Sequence, residues 1–263
     1  MLIWIKGGGD LASGVALRLH HCHLRGVISE LPEPMAVRRT VCFSEAVRLG
    51  RCTVEDVTAI RADSPEAIRR IWDEDAIPVL VDPPLSLREE MKPDVFIDAT
   101  IAKRNTGTSI TDAPLVIALG PGFTAGEDCH AVIETLRGHW LGRVITKGSA
   151  APNTGIPGVI GGYGKERVFR APQDGIFHAE RTFGDLVERG EEVASVDGMP
   201  IFAEIGGMIR GMLPEGIRVT KGVKAGDIDP RGRKADFTTI SDKAMAIAGG
   251  VLEAILTFNP CRF

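Results

Sequence analysis

The chain has 263 residues, with 31 lysines and arginines against 35 aspartates and glutamates and a formal net charge of −4. That length allows one large domain or two modest ones, and the near balance of charges excludes a general attraction to nucleic acid. No run approaches the roughly 18 apolar residues of a membrane span and the chain enters a strand-like segment at once, so we expect a cytoplasmic protein that does not bind the membrane.

The first element is a buried strand that runs into a glycine turn and then an amphipathic helix, over residues 2–19. Gly7, Gly9 and Ala12 fit the G-x-G-x-x-G/A spacing, whose small residues serve the tight turn, the approach of a pyrophosphate and the packing of helix on strand. The N–H groups at the helix start would face the anion. The motif predicts a nucleotide site that also includes Gly8, Asp10 and Leu11.

The segment after this helix strengthens the nucleotide interpretation. A second strand, residues 26–29, ends at Glu30, twenty-one residues after Gly9 and near the position of the acid that binds a ribose hydroxyl. Without that acid, three glycines equally describe a turn with no ligand. Asp10 disfavours a bare phosphate at the turn, and its carboxylate is suited to cap the helix or to hold a ribose or pterin group.

Histidines and cysteines do not predict a metal site. The sequence His20-His21-Cys22-His23 ends the first helix, where imidazole suits the negative end of the helix dipole and the four residues do not share one face. The five cysteines are scattered and contain no C-x-x-C pair, so neither a disulfide framework nor a zinc site is expected.

The next part of the chain alternates apolar runs with helices. Helices are predicted to begin at Ser44 and Ser64, and a third over residues 86–91. Continuous apolar runs between helices are typical of a parallel sheet covered on both faces, and we therefore predict an α/β, Rossmann-like parallel sheet domain over residues 1–150. The apolar runs are residues 54–60, 77–82, 94–99 and 115–119.

Ligands of such sheets bind where the strands end, which directs attention to two further loops. The first, residues 100–108, contains Lys103, Arg104 and Asn105, and its two cations are predicted partners of a phosphate or carboxylate. The alternative for this loop is an ordinary solvated connection. The second loop, residues 120–128, is rich in glycine and contributes Gly120 and Gly122 to the predicted site.

A β-hairpin is predicted around Gly138. On its first strand His130 and Glu134 lie four residues apart, so their side chains would share a face and form a candidate acid/base pair. The alternative is that both are hydrogen-bonded structural residues. Cys129, just before this strand, is predicted to be a buried thiol.

Residues 165–240 contain an internal repeat, because a self-comparison shifted by 32 residues aligns glycines and valines of the two halves. This segment resembles the barrel-sandwich hybrid of biotinyl and lipoyl domains, which carry a cofactor on a lysine at a hairpin tip. The link between the halves, residues 195–200, has no lysine, so a structural or recognition role is favoured over a carrier role. A capped helix, residues 241–258, is expected to pack on the first domain.

Several motifs resemble the YqeB-type accessory proteins of the selenium-dependent molybdenum hydroxylase system, over nearly the whole chain. The N-terminal half is also similar to the Rossmann domain of XdhC-type maturation factors, although Asp10 stands where those factors commonly have histidine and their separate N-terminal segment is missing. The resemblance implies a maturation role, with the molybdenum hydroxylase apoenzyme or other maturation proteins as partners. The motifs are residues 7–14, 120–126, 130–135, 137–143, 153–158 and 226–231.

The leading hypothesis is an accessory protein that binds a nucleotide or a molybdenum cofactor dinucleotide. One alternative is an NAD-dependent oxidoreductase that uses His130 or Glu134. The sequence lacks a proton relay of Ser, Tyr and Lys at helical spacing, which disfavours this alternative. Another is a non-enzymatic scaffold or carrier that acts through the β domain. NAD or NADP is the other ligand that the motif favours, no metal or nucleic acid is predicted, and the sequence is compatible with a homo-oligomer.

Overall fold

The computed structural model describes residues 1–258, which divide into two units. Unit 1 comprises Met1–Pro34, Cys42–Asn153 and the chain from Ile240 onward, and unit 2 comprises Met35–Val41 and Thr154–Thr239. The short segment Met35–Val41, within the range that the sequence assigned to the first domain, therefore belongs to unit 2. No helix in the described part of the chain is long and apolar enough to cross a membrane.

Unit 1 is built from eleven strands and five helices among the described residues. The strands are β1 Leu2–Lys6, β2 Arg25–Glu30, β3 Arg51–Val54, β4 Val57–Ala62, β5 Ile77–Val81, β6 Val95–Asp98, β7 Leu115–Leu119, β8 Thr124–Ala125, β9 Ala131–Ile133, β10 Val144–Ile145 and β11 Gly148–Ser149. The helices are α1 Asp10–His21, α2 Glu45–Leu49, α3 Pro65–Asp73, α4 Leu85–Met91 and α5 Asp242–Phe258.

Nine of these strands form one sheet in the order β10-β9-β7-β6-β1-β2-β5-β4-β3. The seven central strands are parallel to one another, and β3 and β10 are antiparallel edge strands. The predicted parallel sheet is therefore wrong, because the sheet is mixed and β8 and β11 form a separate ribbon. An apolar run indicates that a strand is buried but does not indicate the direction in which it runs.

The hairpin between β3 and β4 shows how one edge was missed. The sequence predicted one strand over residues 54–60, whereas the chain reverses at Glu55 and Asp56, with Glu55 at φ 55°. Two-residue hairpins favour glycine or asparagine at such positions, and this turn has neither. The usual turn pattern therefore does not predict this edge hairpin.

Helix α5 packs on unit 1, as the sequence predicted. A Cβ placed on Gly14 of α1 would lie 2.8 Å from the Cβ of Ala244, so the two helices approach closely at this glycine. Farther along α5, a Cβ on Gly250 would lie 2.1 Å from the carbonyl oxygen of Gly142. These contacts fix α5 beside the start of α1 and the β9–β10 loop.

Unit 2 is a pair of four-stranded antiparallel sheets with the orders β12-β19-β17-β14 and β16-β15-β13-β18. The 32-residue repeat is visible in it, because β13, β14 and β15 correspond to β17, β18 and β19 at that offset. Each sheet takes one short strand from the other repeat, so the halves interlock. The strands are β12 Val168–Arg170, β13 Gly175–Ala179, β14 Leu186–Val187, β15 Glu192–Val196, β16 Met199–Phe202, β17 Gly207–Met212, β18 Arg218–Val219 and β19 Lys224–Asp229.

Candidate functional site

Gly7 forms the tight turn that ends β1. Its φ is +98°, a left-handed conformation that favours glycine, and its N–H donates to the carbonyl of Ser29 at 2.8 Å. A Cβ at this position would lie 3.3 Å from the backbone of Ala99 and Thr100, which follow β6. Both the turn and the neighbouring strand therefore require glycine here.

Gly9 differs from Gly7 because its local structure does not require glycine. It precedes α1 with an ordinary φ of −68°, and a Cβ placed on it would meet nothing within 4 Å among the described residues. In the same part of the chain no side chain caps the start of α1. The backbone at Gly9 thus faces open space at the positive end of a helix.

The carboxylate of Glu30 holds the glycine turn in place. Its Oε2 accepts the N–H of Gly8 at 2.7 Å, and its Oε1 accepts the N–H of Leu31 at 2.7 Å. A carboxylate oxygen has two lone pairs, so each oxygen keeps the capacity to accept a further hydrogen bond. The predicted contact of Glu30 with a ribose hydroxyl stays a prediction, and its observed role is to shape the turn.

The first turn of α1 packs inward. Leu11 and Ala12 are buried, which agrees with the close helix–strand packing that the motif predicts. The buried hydroxyl of Ser13 donates to the carbonyl of Gly8 at 3.1 Å and accepts the N–H of Phe43 at 2.8 Å. Leu11 and Ala12 could therefore offer a ligand their backbone N–H groups and not their side chains.

Asp98 is a buried residue at the end of β6 that the sequence analysis missed. Its carboxylate accepts hydrogen bonds from the hydroxyls of Thr108 at 2.6 Å and Thr100 at 2.7 Å, and from the ammonium of Lys6 at 3.1 Å. It is fully excluded from solvent. Asp98 thereby fixes the loop that carries Lys103 and Arg104, and its place at the end of an apolar run was the available signal.

Asn105 organises the same loop. Its Oδ1 accepts the N–H groups of Gly107 and Thr108, and its Nδ2 donates to the carbonyl of Thr108 and to Asp128 at 3.1 Å. Both polar atoms of the Asn105 side chain are thus engaged in hydrogen bonds. The structure gives Asn105 a shaping role within a predicted ligand loop.

Lys103 and Arg104 are exposed, and within the described part of the chain neither side chain has a hydrogen-bond or ion-pair partner. Their backbone lies against Gly122, where a Cβ would be 2.5 Å from the amide nitrogen of Arg104. Gly122 has φ +107° and leaves room for this approach. The structure therefore brings the two predicted strand-exit loops together and presents two available cations there.

The carboxyl ends of β7 and β9 continue this row of strand exits. Gly120 has φ +75°, and a Cβ on it would lie 2.5 Å from the hydroxyl of Thr135. The neighbouring carboxylate of Glu134 is buried and accepts the backbone N–H groups of Leu136 at 2.7 Å and Ala151 at 2.8 Å. Glu134 is accordingly engaged by the backbone through both of its oxygens.

His130 does not form an acid/base pair with Glu134. Strand β9 lies between them, so they stand at its opposite ends with Cα atoms about 13 Å apart at the usual rise per residue. The Nδ1 of His130 accepts the N–H of Val116 at 3.0 Å, and burial lowers the pKa of the imidazole. The alternative of a hydrogen-bonded structural role describes both residues.

Lys243 is a second residue that the sequence analysis missed, because its position was treated only as the start of α5. Burial lowers the pKa of its ammonium, Asp10 and Glu134 oppose that shift, and the positive charge of Arg137 adds to it. The structure thus places a cationic side chain in the electrostatic neighbourhood of the first residue of α1. It partly offsets the negative charge that Asp10 brings to the glycine turn.

The histidines at the end of α1 are directed to separate carboxylates. His20 lies 3.6 Å from Asp75, and His21 lies 3.1 Å from Asp56. Among residues 1–258, no group of three or more histidine, cysteine, aspartate or glutamate side chains is placed to hold a metal ion.

Comparison with known proteins identifies one curated relative. The chain is 52% identical over 255 residues to the uncharacterized protein YqeB of Escherichia coli (strain K12), a match that covers 97% of this chain and 47% of YqeB. The predicted similarity to YqeB is confirmed, and the chain spans about half the length of this relative. No family model matches the chain.

Two solved structures correspond weakly to the fold. One is an aspartoacylase family protein from Mesorhizobium loti, with 12% identity and a TM-score of 0.28, and the other is a succinylglutamate desuccinylase/aspartoacylase from Rhodobacter sphaeroides, with 14% and 0.26. Each match covers 86% of this chain and 84% of the other. The predicted class, a Rossmann-like parallel sheet domain followed by a biotinyl/lipoyl-like domain, is corrected, because the large sheet of unit 1 is mixed, with antiparallel strands at both edges. At these TM-scores the two structures carry no argument about function.

Proposed function

We propose that unit 1 binds a nucleotide-type ligand at the carboxyl ends of β1, β6 and β7, and that the chain is an accessory protein that handles the dinucleotide form of molybdenum cofactor. The observation that carries the proposal is Gly9, whose open, uncapped position before α1 is explained by a ligand that approaches the backbone. A pyrophosphate is such a ligand, since helix N-termini favour anions.

The charges around the turn support an anionic ligand of extended shape. Lys103 and Arg104 are exposed cations without partners in residues 1–258, and both are suited to phosphate. Strands β1 and β6 are neighbours, so the loop after β6, which carries the two cations, lies next to the glycine turn after β1. A dinucleotide of this kind has a pyrophosphate and a ribose, and these match the cations, the glycine turn and the remaining lone pairs of Glu30.

The geometry favours binding over hydride transfer. The acid/base candidates His130 and Glu134 stand at opposite ends of β9 and are occupied by backbone N–H groups. In our proposal the molybdenum-bearing dinucleotide is cargo, and the partner is a molybdenum hydroxylase apoenzyme or another maturation protein. The resemblance to YqeB-type accessory proteins motivates this task, including the selenium-dependent class of hydroxylase.

Isothermal titration of the full chain with molybdopterin dinucleotides, NAD and NADP tests the ligand. We expect saturable binding of a molybdopterin dinucleotide, with a preference over NADP because Glu30 disfavours a 2′-phosphate. Preference for NAD with substrate-dependent turnover would instead support the oxidoreductase alternative. Absence of binding by all three ligand classes would overturn the proposal.

A matched pair of variants assigns the binding to the turn. Gly9→Val should weaken binding at least about tenfold, a change of about 1.4 kcal/mol, because the side chain fills the path to the backbone. Gly249→Val is the control, since among the described residues a Cβ there meets nothing within 4 Å beyond the nearby backbone of its own helix and lies in the middle of α5. Equal affinities of the two variants would place the ligand elsewhere.

A further inference from the structure

Unit 2 contains a cluster of charged side chains that the proposed nucleotide site does not use. It lies on β17 and β19, just after β19 and immediately before β12, where four cationic side chains surround two carboxylates. We call it the arginine cluster, and its members are Arg167, Arg210, Lys224, Asp227, Asp229 and Arg231.

Asp229 is the carboxylate of the cluster whose oxygens both have hydrogen-bond donors. It is fully buried, and Arg231 binds it through Nη2 at 2.7 Å and Nε at 2.9 Å. Arg210 approaches the same carboxylate through Nη1 at 3.3 Å. These contacts lower the pKa of Asp229 against the opposing effect of its burial, so its charge is fully matched by cations.

Asp227 is the carboxylate of the cluster that lacks close hydrogen-bond donors among the described residues. It is 5% exposed, and its nearest cations are Arg167 at 3.6 Å and Lys224 at 3.8 Å, both on Oδ2 and both beyond ordinary hydrogen-bond length. Its Oδ1 has no hydrogen-bond partner in residues 1–258. The cluster therefore contains one buried acceptor that needs a donor.

The buried arginines carry hydrogen-bond donors that lack acceptors in residues 1–258. Arg167 is 6% exposed and Arg210 is 8% exposed, and within the described chain Nε and Nη1 of Arg167 and Nε of Arg210 have no hydrogen-bond acceptor. Burial lowers the pKa of Arg210, and the nearby charge of Arg38 adds to this effect. Leaving charged donors buried and unbonded is unfavourable, so a group that accepts from them is expected.

We propose that the arginine cluster binds a small oxyanion that also carries a hydroxyl hydrogen, of which hydrogen phosphate is the simplest. The anion would accept hydrogen bonds from Arg167 and Arg210 and would donate its O–H to Oδ1 of Asp227. A fully deprotonated anion would instead meet a carboxylate oxygen with no hydrogen between them. The site therefore discriminates phosphate from sulfate.

Two half-exposed cations lie at the solvent edge of the arginine cluster. The side chain of Arg231 is 48% exposed and that of Lys224 is 38% exposed, and both reach the same row of carboxylates on β19 from the solvent side. Asp227 and Asp229 lie two residues apart on that strand and so face one way. Exposed cations in front of buried ones attract an anion inward.

Isothermal titration of the full chain with inorganic phosphate and with sulfate, at pH 7 and constant ionic strength, tests the proposal. We expect phosphate to bind at least about tenfold more tightly than sulfate, because phosphate retains a hydrogen at this pH and sulfate does not. Asp227→Asn should abolish that preference, since the amide can donate to sulfate as well as accept from phosphate. A structural role of Asp227 alone would not change selectivity.

Arg210→Lys keeps the charge but removes the Nε donor, and it should weaken phosphate binding at least about tenfold. Arg189→Lys, at an exposed position of the same unit, is the control and should bind as the original chain does. Absence of saturable phosphate binding, equal affinities for the two anions, or an unchanged Arg210→Lys variant would each overturn the site. Loss of phosphate binding in Gly9→Val would also overturn it, because the anion would then belong to unit 1.

Discussion

The two glycines that flank the turn after β1 should respond oppositely to the same substitution. Gly7→Ser places a side chain where φ is +98° and where a Cβ lies 3.3 Å from the backbone that follows β6. Gly9→Ser places it at φ −68° in open space, at a helix N-cap where serine is a preferred residue. The pair therefore separates a glycine needed for folding from one available to a ligand.

The expected magnitudes differ clearly. A non-glycine residue in the conformation of Gly7 costs about 1–3 kcal/mol, and the tight backbone contact adds to that cost. At about 2–4 °C per kcal/mol for a unit of this size, Gly7→Ser should lower the melting temperature by about 2–12 °C. Gly9→Ser should change it by no more than about 2 °C and should tend to raise it, because the serine hydroxyl can cap α1.

Tryptophan fluorescence during thermal unfolding measures this difference in unit 1. The chain has three tryptophans, Trp4, Trp72 and Trp140, and all three lie in unit 1. The signal therefore reports the unit that contains both glycines. If Gly9→Ser destabilises unit 1 as much as Gly7→Ser, Gly9 is packed and the argument for ligand access at its backbone fails.

Three further predictions concern buried groups of unit 1. Glu134→Gln should cost about 1–3 kcal/mol of unfolding free energy, measured by urea denaturation, because one of the two backbone N–H groups held by the carboxylate loses its acceptor; an unchanged midpoint would contradict the observed hydrogen bonds. Burial raises the pKa of Cys129 to about 12, so peptide mass spectrometry after iodoacetamide treatment at pH 8 should find the exposed Cys22 alkylated and Cys129 unmodified, and equal labelling would refute this. Burial lowers the pKa of Lys243, so as the pH rises the folded chain releases that proton before the unfolded chain does. The stability of the original chain relative to Lys243→Met should therefore rise as the pH increases toward about 10.4. Thermal unfolding of both proteins from pH 7 to 10 measures this, and a difference in melting temperature that stays constant with pH would contradict the shift.

The glycine turn could be predicted from the sequence because its parts are local. Gly7, Gly9, Ala12 and the helix after them lie within a few residues, and the spacing alone defines the turn. The adjacency of the loops at Lys103 and Gly122 could also be predicted, since successive strand exits of a sheet meet at one edge. The 32-residue repeat of unit 2 was evident for the same reason, as a regular spacing in the chain.

The residues that were missed depend on distant partners. Lys6 and Asp98 are 92 residues apart in sequence and meet only because β1 and β6 are neighbours in the sheet. Lys243 comes near Asp10 through the packing of α5 on α1. No local pattern contains such pairs, so they become visible only when strand order and helix packing are known.

The arginine cluster was hidden for a different reason. Arg210 lies at a β-bulge in an otherwise apolar strand, and a charged residue in such a sequence is expected to face solvent. The bulge and the antiparallel pairing of β17 with β19 turn it toward Asp229 instead. A change of one residue in strand register exchanges the two faces of a strand, and sequence periodicity does not reveal where a bulge occurs.

The most direct test of the central claim is a crystal structure of the full chain soaked or co-crystallised with a molybdopterin dinucleotide. We predict ordered density for the pyrophosphate against the backbone of Gly9 at the start of α1, with Lys103 or Arg104 turned toward a phosphate. A ligand bound elsewhere on the chain, or an empty glycine turn at saturating ligand concentration, would contradict the account.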